Sequence, residues 1–289
     1  MTFASGRREF LRLAALASAA GCVLRSPNAA QGEAAPGMIY GVQLYMIRRQ
    51  AQQDFAGILK AIHAIGYSQI ELFAMAYNRP AGELLGMIED AGLGADSGHF
   101  DYSDFEPKIE YAHQLGLKYM VCPMVPREQW GSLDGFRKAA ENFNRWAVKI
   151  HQAGMQFVFH NHNYEFKPLE GSSGFDEIMR LTDPALVKLE MDVYWVMQGG
   201  RDPFEFLKQH KDRIQLFHMK DRFAGAATGY QLDESAQHFT ELGRGTIAWR
   251  ALLKQAHRQG IRYAFVDQDE TEGPVLESLK VSYDYLRTL

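Results

Sequence analysis

Eight short strand-like runs, most of them apolar with β-branched and aromatic residues and most with polar side chains at or near their ends, constrain this chain more than any other feature. They fall at residues 39–45, 69–73, 94–99, 119–124, 157–162, 187–192, 214–219 and 263–267. Helical periodicity occupies stretches between them, at 54–65, 81–91, 106–115, 133–153, 203–210, 247–259 and 275–286. Such alternation of strand and helix is the signature of parallel βαβ units. Five helical stretches stop on a glycine, at Ile65-Gly66, Ala91-Gly92, Leu115-Gly116, Ala153-Gly154 and Gln259-Gly260, where the chain leaves the helix through a left-handed residue. No glycine-rich phosphate loop follows the first run, and polar residues close nearly every run instead of lining one crevice. Both points favour a closed barrel over a doubly wound open sheet. The expected class is α/β, a single (β/α)8 barrel over residues 37–289, close to the ~250 residues such a barrel uses.

Residues 1–36 have a different character. Arg7-Arg8-Glu9-Phe10-Leu11 precedes an Ala-rich apolar run over 13–24, followed by Arg25-Ser26-Pro27 and small residues up to Pro36. A run of that length is too short for a stable membrane anchor but suits an export signal. The layout resembles a twin-arginine signal, which implies the Tat export machinery as a partner, a periplasmic or extracytoplasmic location, and no membrane span in the mature domain. Ala19-Ala20-Gly21-Cys22 lacks the Leu that a lipoprotein box carries three residues before its cysteine, which disfavours a lipid anchor on Cys22.

Composition excludes several classes. With 46% hydrophobic and 23% charged residues the chain is neither disordered nor a coiled coil. Its 31 Lys and Arg against 35 Asp and Glu offer no basic footprint, so no nucleic-acid partner is expected. Cys22 and Cys122, the only cysteines, cannot build a disulfide framework.

In a parallel barrel the carboxyl ends of all strands share one mouth. Here those ends carry Gln43 and Tyr45, Glu71, His99, the run His160-Asn161-His162-Asn163-Tyr164-Glu165, Glu190 with Asp192, His218 with Lys220, and Asp267-Gln268-Asp269-Glu270. Strand alternation puts His160 and His162 on one face, and likewise Glu190 with Asp192 and His218 with Lys220. One His at a strand end is usually structural, and one Asp often caps the next helix. Five strands contributing such groups together point instead to one divalent metal ion, with Mn, Zn, Co, Fe or Mg as candidates.

Gly41-Val42-Gln43-Leu44-Tyr45, Ile70-Glu71-Leu72-Phe73, Phe159-His160-Asn161-His162, Met191-Asp192-Val193-Tyr194-Trp195, Phe217-His218-Met219-Lys220-Asp221, Leu242-Gly243-Arg244-Gly245 and Val266-Asp267-Gln268-Asp269 occur in this order. Together they resemble the xylose isomerase-like TIM barrels, called sugar phosphate isomerases/epimerases, in their exported branch. The resemblance implies a metal held by Glu, Asp, His and Glu from the fifth to eighth strands. Those positions carry His160, Asp192, His218 and Asp267 here, so both glutamates are replaced.

The implied function is sugar isomerisation or epimerisation by abstraction of an α-proton through an enediolate. Glu165 or Asp267 would be the base, with Glu190 a ligand or second base. Lys220 would hold a substrate oxygen, while Tyr45, His99, His162, Trp195 and Arg244 would line the sugar pocket. A 3-keto-glycoside lyase or hydrolase on the same site, or a non-catalytic periplasmic sugar binder, are the alternatives. Kinship with metal-dependent DNA repair endonucleases is disfavoured by Trp195 and the acidic surface.

Overall fold

The computed structural model describes residues 37–232 and 238–289. The expected signal over residues 1–36, Cys22 included, lies outside the described residues. The eight runs become eight strands: β1 Ile39–Gln43, β2 Gln69–Leu72, β3 Gly94–His99, β4 Tyr119–Cys122, β5 Gln156–His160, β6 Val187–Asp192, β7 Ile214–Met219 and β8 Tyr263–Val266. All pair in parallel, each with its sequence neighbours, and β8 closes on β1. Three strands have the expected bounds. The others stop one or two residues short of the expected end, as where Gln43 Oε1 accepts from Tyr45 N at 3.1 Å to start a 3-10 turn, and Tyr45 and His162 lie beyond their strands.

The long helices surround the barrel, and two of them begin on side-chain caps. Asp54 accepts from Gly57 N and Ser132 from Gly135 N, opening Phe55–Ile65 and Leu133–Gln152. The five stop glycines all have positive φ, from 70° at Gly116 to 124° at Gly66. Two short helices were not legible in the sequence: Gly174–Leu181, capped by Ser173, and Val193–Gln198, capped by Asp192. Each spans about two turns, too short for a distinct helical period. Among the described residues, no helix is long and apolar enough to cross a membrane.

The barrel interior is layered. Val121, Val158, Leu216, Tyr263 and Phe265 form an apolar cluster of their own, and Phe265 meets the His218 ring at 6.3 Å. His160 and His218 lie two residues beyond Val158 and Leu216, so the interior turns polar toward the carboxyl ends.

Asp221 holds the chain just past β7. Its Oδ1 accepts from Arg222 N at 2.8 Å and Ile247 N at 3.0 Å, and its Oδ2 from Gly243 N at 3.0 Å. Gly245 permits this approach, since a Cβ there would lie 2.2 Å from Asp221 Oδ1. Asp221→Ala strands these buried donors and should cost about 3 kcal/mol, lowering the melting temperature by on the order of 8 °C. Thermal denaturation followed by circular dichroism measures this; an unchanged midpoint would show the clamp to be dispensable.

Candidate active site and metal centre

Alternate residues of a strand face the same side, and near the mouth that side carries fully buried polar groups: Glu71 on β2, His99 on β3, His160 on β5, Glu190 and Asp192 on β6, and His218 on β7. They form two tiers. In the lower tier, Glu190 Oε2 lies 2.8 Å from His99 Nε2, 3.0 Å from His160 Nδ1 and 3.2 Å from His218 Nε2. Glu71 Oε2 is 2.5 Å from His218 Nε2 and 3.2 Å from His99 Nε2. Gln43 Nε2 donates to the same Glu71 oxygen at 2.7 Å, and Ser97 Oγ to the other at 2.5 Å.

The upper tier consists of Asp192, Asp267 and the Lys220 ammonium. Lys220 Nζ lies 2.5 Å from Asp267 Oδ2 and 3.2 Å from Asp192 Oδ2, with Asp269 Oδ1 at 3.7 Å. The remaining nitrogens of the two imidazoles face this tier, with His218 Nδ1 3.5 Å from Asp267 and His160 Nε2 3.9 Å from Asp192. His160 and His218 therefore separate one carboxylate pair from the other.

Burial shapes the charges first. It would raise the Glu71 carboxyl, but His99 and His218 hold it well below the ordinary carboxylate value. Burial and the neighbouring Glu71 both push Glu190 up. His218 lies well above its ordinary value and His99 rises to about 9, because Glu71 and Glu190 outweigh their desolvation. His160 and His162 are driven well below by burial and nearby positive charge, so both are neutral imidazoles. Lys220 stays charged, since Asp192 and Asp267 outweigh its burial.

The donor set fits a divalent cation. Glu190 Oε1, Asp192 Oδ2, Asp267 Oδ1 and His218 Nδ1 are buried without a hydrogen-bond partner, and mixed imidazole and carboxylate donors suit transition ions. Donor atoms converge in two overlapping groups: His99, His160, Glu190 and His218, and Asp192, His218 and Asp267.

Above the tiers opens a cavity of about 370 Å3. Of the residues expected from sequence, Tyr45, His99, His160, His162, Trp195, His218, Lys220 and Asp267 line it. Three carboxylates do not: Glu190 and Asp192 are fully buried, and Glu165 turns one oxygen to His162 N at 2.8 Å. Arg244 is a correction. It is exposed and pairs with Glu241, because the glycines beside it belong to the Asp221 clamp. Sequence reasoning missed the roles of Gln43, Glu71, Asp101, Arg127 and Asp269. Glu71 and Asp269 carried a signal, standing at strand ends; Arg127, in the loop after β4, carried none.

The pattern of the xylose isomerase-like TIM barrel matches residues 59–287. This chain belongs to that family. An inosose dehydratase of Geobacillus kaustophilus is 35% identical over 138 residues, covering 40% of this chain and 42% of the relative. The chain thus spans about two fifths of the length of the curated relatives it matches. Among solved structures, a sugar phosphate isomerase/epimerase from Parabacteroides distasonis superposes with a TM-score of 0.71 at 27% identity, covering 86% of this chain and 97% of that one. The 3-keto-D-glucoside 4-epimerase of E. coli, at 17% identity and TM-score 0.63, covers 87% and 100% and shares the fold.

Within this family member, Lys220 is essential to its own tier. Lys220→Met leaves Asp192 and Asp267 buried without their cation and should cost about 3 kcal/mol at neutral pH. Lys220 holds Asp267 below its ordinary value despite burial, so its contribution is full above about pH 4 and fades below. The deficit should therefore persist down to about pH 4 and shrink as the pH falls below it, where the aspartate carboxyls take up protons. Denaturant titrations of metal-free protein across that range test this; a deficit independent of pH would contradict it.

Proposed function

We propose that this protein is a divalent-metal-dependent enzyme that removes the proton α to the carbonyl of a keto sugar or glycoside and returns it as an isomerase or epimerase. The observation carrying this reading is the juxtaposition of a buried imidazole–carboxylate cluster with a monosaccharide-sized cavity whose wall holds proton acceptors. The overlapping donor sets around His218 would hold the cation. When bound, it would polarise the substrate carbonyl and offset the negative charge that develops as the α-proton leaves.

The chain's own residues supply the rest. Asp269 lines the cavity beside Lys220, so its carboxylate is placed to take the proton and deliver it to the neighbouring carbon or the opposite face. Neutral His162, whose Nδ1 has no partner, offers a second acceptor on the same wall. Trp195 gives the sugar an apolar surface and an unpartnered Nε1 donor. Glu165 orients His162 through its backbone N–H and does not reach substrate.

The inosose dehydratase relatives favour a second reading, in which the same abstraction is followed by loss of a β-substituent, making the protein a lyase. The cavity wall sets Asp101, Asp267 and Asp269 against Arg127 and Lys220, which favours an uncharged sugar over a phosphorylated one. Export through the twin-arginine route, suggested by residues 1–36, belongs to the same proposal.

Deuterium incorporation from solvent into ketoses and 3-keto glycosides tests the reading, with epimer, isomer and eliminated product separated by mass spectrometry. Exchange should stop after chelation and return with Mn or Zn. Asp269→Asn should slow it about 100-fold or more while leaving the melting temperature nearly unchanged. Exchange that survives metal removal would refute the metal-dependent reading, and no exchange with any sugar would leave a binding protein.

A further inference from the structure

The two donor sets share the His218 ring, with Nε2 facing the lower tier and Nδ1 the upper, so charge and geometry decide which set takes a single cation. We propose that the divalent cation is held in the lower tier by His99, His160, His218 and Glu190, and that the Lys220 ammonium takes the place of a metal charge between Asp192 and Asp267. This deepens, and rests on, the reading of the protein as a metal enzyme.

The upper tier already contains its cation. Lys220 is 1% exposed and lies within 3.7 Å of three carboxylates. A metal ion drawn to Asp192 and Asp267 would meet the ammonium at contact distance, where like charges repel strongly in a buried setting. The aspartate at position 267 is also one methylene shorter than glutamate, and its Oδ2 is occupied by Lys220.

The lower tier has the opposite character. Among the described residues, Glu71 and Glu190 have only histidines as ionic partners, with no lysine or arginine in reach. Three imidazole nitrogens crowd Glu190 Oε2 within 3.2 Å, while Glu190 Oε1, equally buried, has no hydrogen-bond partner. A hydrogen-bonding network would spread those donors over both oxygens. A ligand shell would gather them: ligands bound at 2.0–2.1 Å in a tetrahedron stand about 3.3 Å apart, near the separations found here.

Charge agrees with this. With neutral imidazoles, Glu71 and Glu190 together carry the two negative charges that a divalent cation balances. Gln43 and Ser97 hold Glu71 in place at the edge of the shell. His99, His160 and His218 all line the cavity, so a cation among them faces the substrate.

The test uses the protein stripped with chelator and reloaded with Zn2+, its metal content measured by plasma mass spectrometry. Wild type should bind one equivalent. Glu190→Gln should weaken Zn2+ affinity at least tenfold, whereas Asp267→Asn should change it less than threefold. The reverse pattern overturns the lower-tier assignment and leaves the metal-enzyme reading intact. Two equivalents, one lost in each variant, would overturn the role given to Lys220. No bound zinc in wild type, with proton exchange unaffected by chelation, would refute the metal-enzyme reading as well. Should Glu190→Gln not fold, X-ray absorption of zinc-loaded wild type decides: three imidazoles and one carboxylate support the lower tier, two imidazoles and two carboxylates the upper.

Discussion

A charge removed from water must find a partner or give up its proton, and the mouth of this barrel is built around that constraint. Closing eight parallel strands brings Glu71, Glu190, Asp192 and Asp267 into a space where each is less than about a twentieth exposed. Unpaired, they would be too costly to retain. Lys220 meets the need in the upper tier. Imidazoles meet it in the lower, as hydrogen-bonded cations or as ligands around a metal. The positions of the histidines and of the apolar layer beneath are arranged with respect to these carboxylates.

Support for the tiers comes from residues packed around them. Gln43 and Ser97 fix the Glu71 carboxylate from β1 and β3. Asp221 ties the chain after β7 to the Gly243–Gly245 turn, which keeps the neighbouring Lys220 directed at Asp192 and Asp267. Glu165 uses one oxygen to hold the backbone beneath His162. This barrel is divided by height: packing at the bottom, charge balance in the middle, and an open cavity at the rim.

Much of this was legible in the sequence. The eight strands, three to the residue, and the five left-handed glycine stops follow from local sterics and apolar periodicity, which act over a few residues. The cavity-lining positions of His99, His160, His162, His218 and Lys220 follow from one rule, that strand ends share a mouth, and that of Trp195 from the family resemblance. Arg244 failed because a Gly-Arg-Gly run near the mouth looks like a binding loop, whereas its glycines serve close approach to Asp221. Arg127 escaped notice because it opens a single 3-10 turn, Arg127–Gln129, too short to show a periodicity that would place it.

The sequence by itself determined the fold class, the order of elements and the pool of titratable groups at the mouth, because those depend on short-range preferences and a repeated pattern. Only the tertiary structure decided how that pool is divided. Whether Lys220 pairs with Asp221, with Glu190 or with Asp192 and Asp267 depends on register across β6, β7 and β8, and on the clamp that occupies Asp221. Distances of a few ångströms between strands far apart in sequence set which carboxylates face an ammonium and which face imidazoles, and no local pattern encodes them.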